Sequence, residues 1–338
     1  MKYYLGLDVG GTNLAAGVVT EEYEIISRKS VPSGAGKSVE EIVKAMADVS
    51  KDALSEAGLK EKDVDYWGIG MPSCVNPKTR LLVHANCFGW RNVPILDYLS
   101  THTQLPILIE NDGRCAAYGE ILAGAGKNYE NAMMLTLGTG VGGGIILEGK
   151  IYSGADRMGC ELGHTKLVYN GWECTCGQRG CLDVYCSARG LLRIAGEEMQ
   201  EKPEDLTVRR IFDNWKEGDA LAEKIVSRYV DYLVAGLSTF ITIFRPEIII
   251  LGGGIANAGE AFLERVNRNL KKGTFSGEEI GVPRVVRAKL GNDAGIIGAA
   301  MLGAKQNHTA SAKRHMGRAD EKLEMEAEYD SFFNRQIQ

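Results

Sequence analysis

At 338 residues the chain is long enough for two domains with cores of their own, because a single core stops growing near roughly 250–300 residues. Its composition, 44% apolar and 25% charged, is that of a soluble globular protein, and a net charge of −5 gives no basic footprint for nucleic acid. No apolar run reaches the length of a membrane span, and no signal peptide precedes the first strand pattern. A cytoplasmic protein is therefore expected, with no membrane or nucleic-acid partner. Its eight cysteines are expected to be reduced or metal-bound rather than paired in disulfides.

Residues 2–9 and 14–19 are apolar runs joined through Gly10-Gly11 and predict a β-hairpin, with residues 24–31 as a third strand. Ser33-Gly34-Ala35-Gly36-Lys37-Ser38 looks like a P-loop but lacks its first glycine, which would fall at Val31. It reads as a polar turn into a helix over 39–57. Residues 65–70 form a short strand, 91–103 contain a helix, and 105–110 are a strand with Pro106 at its start. Asn111-Asp112-Gly113 then opens a helix through residue 123. Strands over 132–137 and 143–147 flank a second glycine loop. Helices are predicted over 187–199 and 220–244, and a strand over 247–251 runs into Gly252-Gly253-Gly254. A helix follows to about residue 270, then a strand over 283–288 and a small-residue helix over 294–304. From residue 305 the tail is basic to Arg318 and acidic from Asp320, a pattern that predicts a mobile or partly helical extension. The strand–glycine loop–strand unit near residue 8 recurs near residue 138, as two halves of similar plan would show.

Three glycine loops stand at strand ends: Asp8-x-Gly10-Gly11-Thr12, Gly138-Thr139-Gly140-x-Gly142-Gly143-Gly144 and Gly252-Gly253-Gly254. Glycine lets backbone N–H groups approach phosphate oxygens closely, so the three together read as nucleotide binding rather than as plain turns. Asp8 can serve Mg²⁺ through water or simply bond its own turn. Asp112, past a strand and at the start of a helix, can take a hydroxyl proton in phosphoryl transfer or merely cap the helix. His164-x9-Cys174-x-Cys176-x4-Cys181 offers one nitrogen and three sulfurs, a set that suits tetrahedral Zn²⁺ in a structural site, with Cys186 as an alternative ligand.

The motifs Asp8-Val-Gly-Gly-Thr-Asn, Glu110-Asn-Asp-Gly, Leu137-Gly-Thr-Gly-Val-Gly-Gly-Gly, Glu161-Leu-Gly-His164, Cys174-Thr-Cys-Gly-Gln-Arg-Gly-Cys181 and Leu251-Gly-Gly-Gly-Ile together resemble the ROK family of sugar kinases (repressors, open reading frames, kinases) over residues 3–304. The resemblance implies the actin-like ATPase (ribonuclease H-like) α/β fold, two α/β domains with an interdomain cleft. Residues 1–111, joined by the helix near 294–304, would form the smaller domain. Residues 112–293 would form the larger, carrying a zinc loop over 164–186.

It further implies Asp112 as general base and Asn111, Asp112, Glu161, His164 and Asp183 as sugar contacts. Asp8, Gly10, Gly11, Thr12, Asn13, Gly138, Thr139, Gly140, Gly252, Gly253 and Gly254 would bind ATP with Mg²⁺. His164, Cys174, Cys176 and Cys181 would hold structural Zn²⁺, and the chain would assemble as a homodimer or homotetramer. The expected reaction is ATP-dependent phosphorylation of a hexose at its 6-hydroxyl, most simply glucose. The alternatives are N-acetylmannosamine, N-acetylglucosamine, fructose or allose as substrate, or a sugar-sensing protein without catalysis. A repressor with an N-terminal helix-turn-helix is not expected, since the phosphate strand begins at residue 3. Three departures from the usual family pattern stand out: Ser73-Cys74 for Gly-Pro, Cys160 for Gly, and Asp183 for Glu.

Overall fold

A computed structural model describes residues 1–304. Its N-terminal half runs β1 (Tyr3–Val9), β2 (Asn13–Thr20), β3 (Ile25–Pro32), α1 (Val39–Glu56), β4 (Trp67–Met71), β5 (Leu82–Ala85), β6 (Trp90–Val93), α2 (Ile95–Ser100), β7 (Ile107–Asn111) and α3 (Asp112–Leu122). The C-terminal half runs β8 (Ala132–Leu137), β9 (Val141–Leu147), β10 (Lys150–Tyr152), α4 (Leu182–Cys186), α5 (Ala188–Met199), α6 (Val208–Lys216), α7 (Ala220–Phe244), β11 (Ile248–Gly252), α8 (Glu260–Gly273), β12 (Arg284–Arg287) and α9 (Asp293–Ala300).

The first sheet has the order β3-β2-β1-β4-β7 and the second β10-β9-β8-β11-β12. In each, the leading strand pairs antiparallel with its hairpin partner and parallel with the next strand across a helical crossover. The recurrence noted near residue 138 is thus the second copy of one plan. Crossovers cover both faces of the parallel strands, which is why β11 reads as an unbroken apolar run, Ile248 to Leu251, all buried. Leu7, Ile42, Met46 and Ile69 anchor a core under α1, and Leu135, Tyr229, Leu233 and Phe262 anchor a second under α7 and α8. Ser38 caps α1 in a reciprocal box with Glu41, so the 33–38 stretch is the helix entry that its polar residues predict.

Helix α9 returns to the first sheet, where Tyr66 Oη donates to the Ala300 carbonyl at 2.5 Å. It also crosses α3 backbone to backbone: a Cβ on Gly298 would strike the Cys115 carbonyl, and one on Gly119 the Ala294 carbonyl. The small-residue sequence of α9 is the condition for that crossing.

Elements that sequence patterning leaves out are short and held by distant neighbours: the β5–β6 hairpin, β10, α4 and α6. The predicted tail, 305–338, lies outside the described residues. Among the described residues no helix is long and apolar enough to cross a membrane.

Gly298→Ala tests the crossing. It is expected to cost about 3 kcal/mol in urea denaturation, because backbone cannot yield as a side chain can; a loss under about 0.5 kcal/mol would show that the helices separate freely.

Candidate active site

Parallel register brings the C-terminal ends of three strands together. Asp8 lies opposite Gly70, Gly70 opposite Glu110, and Met71 opposite Asn111. This is the edge at which α/β sheets bind ligands. A cleft of about 800 Å³ opens there, lined by Asp8 and Gly11, Asn111 and Asp112, the Gly138–Gly143 loop, Glu161, His164 and Asp183.

The helix-cap role weighed for Asp112 falls to its neighbour. Asn111 Oδ1 accepts the Arg114 N–H at 3.2 Å and caps α3, so Asp112 becomes the first helical residue. Its Oδ1 accepts the Gly113 N–H at 2.7 Å. Burial pushes the Asp112 carboxyl up to about 7, the nearby Asp8 and more weakly Glu161 add to the rise, and the Gly113 N–H opposes it. Burial likewise pushes Asp8 up to about 6, against the pull of Arg28. Two acids that share a poorly solvated floor are thus both raised, and Asp112 the further of the two.

The first glycine turn is braced internally, since the Gly10 N–H donates to the Asn13 carbonyl at 2.9 Å and Ser33 Oγ to the Gly11 carbonyl at 2.7 Å. Gly11 reaches the cleft, with Gly10, Thr12 and Asn13 completing the turn. Gly138 and Thr139 border both this cleft and a second cavity of about 840 Å³. Gly254 lines that second cavity, together with Arg209, Phe212, Asp213 and Lys216 of α6. Gly253 turns the chain behind it at φ 82°, and Gly252 ends β11.

Asp183, fully engaged, serves the glycine loop. Its Oδ1 accepts the Val141 N–H at 2.7 Å, and its Oδ2 pairs with Arg189 Nη2 at 3.0 Å. Arg189 Nε also donates to the Thr139 carbonyl at 2.9 Å.

His164, Cys174, Cys176 and Cys181 bring their ligand atoms within 4.8 Å of one another. Cys176 Sγ is 3.7 Å from Cys181 Sγ, and Cys174 Sγ is 3.7 Å from His164 Nδ1. A tetrahedral ion with sulfur bonds of about 2.3 Å requires edges near 3.8 Å, so the set can hold one metal. Cys186 lies outside the group, buried in the second core. His164 and Cys176 also line the cleft, which joins the metal set to the site wall.

Sequence reading missed Arg114, His84, Cys87 and the α6 wall. Arg114 had a signal: a lone arginine in a small-residue helix, four residues after Glu110. The others depend on pairings that no local pattern specifies.

The ROK family profile matches residues 4–306. The chain belongs to the ROK family. Its fold is the family's actin-like ATPase fold, with α/β sheets as described. The chain is 33% identical over 326 residues to the glucokinase of Halalkalibacterium halodurans, covering 91% of this chain and 97% of that protein. It is 34% identical over 310 residues to the N-acetyl-D-glucosamine kinase of Haemophilus influenzae, covering 88% and 98%. Among solved structures, a ROK family glucokinase from Streptomyces griseus in complex with glucose and AMPPNP is similar at a TM-score of 0.75 and 32% identity, covering 89% and 98%.

The raised acids make a stability prediction for this ROK protein. Folded Asp112 and Asp8 titrate above the unfolded value near 4, so the folded chain holds more protons between about pH 4 and 7. These two groups therefore take stability away as pH rises through that window, and the loss is complete and level above about 7. Asp112→Asn, permanently neutral, is expected to stabilise the chain at pH 8 by on the order of 1 kcal/mol, a gain that shrinks by pH 5. Thermal unfolding at both pH values measures it, and a destabilised variant at pH 8 contradicts it.

Proposed function

We propose that the protein is an ATP-dependent sugar kinase that phosphorylates the 6-hydroxyl of a hexose, with glucose as the first candidate. The observation that carries the reading is the place of Asp112, at the strand ends and facing the Gly138–Gly143 loop, where burial pushes its carboxyl up to about 7. A base poised near neutral pH is what hydroxyl activation needs.

In this reading the sugar lies against Asn111, Asp112, Glu161 and His164. The triphosphate lies along Gly11 and Gly138 to Gly140, and adenosine fills the cavity beside Gly254 and α6. The sugar hydroxyl proton passes to Asp112 as its oxygen forms a bond to the γ-phosphorus, and the bond from that phosphorus to the β-phosphate oxygen breaks to release ADP. Mg²⁺ would neutralise charge developing on the phosphates. Asp8 suits its water shell, because this acid faces the cleft and burial rather than a close cation dominates its surroundings. Residues 1–111 with the helix near 294–304 would close on residues 112–293 and exclude water, which would otherwise accept the phosphoryl group. Identity levels of 33% to a glucokinase and 34% to an N-acetyl-D-glucosamine kinase support both sugars, so N-acetylglucosamine is the second candidate.

The deciding measurement is ADP release with MgATP against glucose, mannose, fructose, allose, N-acetylglucosamine and N-acetylmannosamine. A rate confined to one or two of them is expected. Asp112→Asn should lower that kcat by about 10²–10⁴-fold while ATP binding stays. In the wild type, kcat/KM for the sugar should fall about tenfold per pH unit below 7 as Asp112 takes its proton. No sugar-dependent rate, or a normal rate in the variant, removes this reading.

We also propose that His164, Cys174, Cys176 and Cys181 hold one structural Zn²⁺, which fixes His164 at the cleft wall. Lys166 Nζ, 3.9 Å from Cys181 Sγ, suits thiolates there. Purified protein should carry about one zinc per chain by elemental analysis, and Cys176→Ser should lose most of it. Metal-free wild type with unchanged thermal stability would refute the site.

A further inference from the structure

One strained segment converges on a single buried guanidinium. Between β10 and His164, Arg157 at φ 61° and Cys160 at φ 64° both occupy the left-handed region. That region costs a residue with a side chain about 1–2 kcal/mol, and such conformations persist only where the surroundings over-determine them.

Here the constraint comes from the first turn of α3. Arg114 Nη1 donates to Glu110 Oε1 at 2.8 Å and to the Arg157 carbonyl at 3.3 Å. Its Nη2 donates to the Gly159 carbonyl and lies 3.3 Å from Glu161 Oε1. The same Nη2 is 3.4 Å from Cys74 Sγ, and the Cys74 thiol donates to Glu161 Oε1 at 3.5 Å. The Arg114 side chain is fully buried, whereas that of Glu161 is 47% exposed toward the cleft. A buried cation is tolerable only with its acceptors in place, so the guanidinium and the segment fix each other.

We propose that Arg114 is a positioning residue: it holds residues 157–161 so that Glu161 presents its carboxylate to the substrate beside Asp112, with Cys74 as second support. The inference rests on the sugar-kinase reading only for the identity of the ligand that Glu161 meets. Arg114 does not line the cleft itself and acts through Glu161. Lysine keeps the charge but cannot reproduce a fork that reaches two carbonyls and two carboxylates at once.

Hydrogen exchange on the full-length protein separates this role from the activity. In Arg114→Lys, amides over 157–161 should exchange about tenfold faster or more while those in the body of α3 keep their protection. On the sugar found in the panel, KM should rise about tenfold with KM for ATP held within about twofold. Placed in a Glu161→Gln background, Arg114→Lys should add less than about twofold, as action through one residue requires. Unchanged exchange over 157–161, or sugar KM effects that multiply in full with those of Glu161→Gln, overturns the proposal.

If the Arg114 variant does not fold, Cys74→Ala leaves every charge in place and should still speed exchange over 157–161 by about threefold; no change there also overturns it. Should the wild type phosphorylate no sugar, the kinase reading falls, and the exchange comparison alone upholds or overturns the role of Arg114.

Discussion

The cleft depends on the backbone crossing of α3 and α9. Gly119 and Gly298 remove the side chains that would hold these helices apart. Helix α3 begins at Asp112, at the end of β7, while α9 packs on β1 beneath Asp8. Gly295 in α9 lies so close to the Asp8 carboxylate that a Cβ would come within 2.6 Å of it. The crossing therefore sets how near the two acids stand, and through that distance how far Asp8 raises Asp112. A packing constraint between two helices becomes an electrostatic property of the floor.

That floor is a region of charge held at a disadvantage. Asp8 and Asp112 are raised by burial first, and Asp112 then by its acidic neighbours. Cations stand behind them rather than among them: Arg28 is bound to Asp293 at 2.8 Å, and Arg114 to Glu110 and Glu161. An arrangement that left these acids paired would be more stable and would leave no base free at neutral pH. Stability given up at one place for a reactive group is the common pattern of functional sites.

Much of this was legible in the sequence because it is local. The hairpin around Gly10-Gly11, the apolar strands, the Ser38 entry to α1 and the Cys174–Cys181 spacing each follow from short-range chemistry. The doubled sheet plan shows as a recurring strand–glycine loop–strand unit. The β5–β6 hairpin was not legible: its buried residues sit at strand ends, Leu82 and Ala85 against Trp90 and Val93, so no alternation marks it. Nor could spacing tell that Asn111 rather than Asp112 caps α3, since both residue types cap well. Arg114 shows the deeper limit. Its pairing with Glu110 is an i,i+4 relation, but its hold on 157–161 and on Cys74 exists only once distant segments meet.

The departures from the usual family pattern at Cys74, Cys160 and Asp183 then fall into two physical accounts. Cys74 and Cys160 belong to the surroundings of Arg114: one is a thiol between the guanidinium and Glu161, the other a residue with a side chain in a conformation that suits glycine. With Cys160 the segment carries strain that glycine would avoid, so its geometry leans more heavily on the buried fork. Asp183 is different. Both its oxygens are bound, to the Val141 N–H and to Arg189, so it braces the loop that would hold phosphate. A sugar hydroxyl reaching Asp183 would have to share acceptors already in use. On the proposed reading, sugar recognition therefore falls more on Asn111, Glu161 and His164, and the geometry of Glu161 is the part that Arg114 controls.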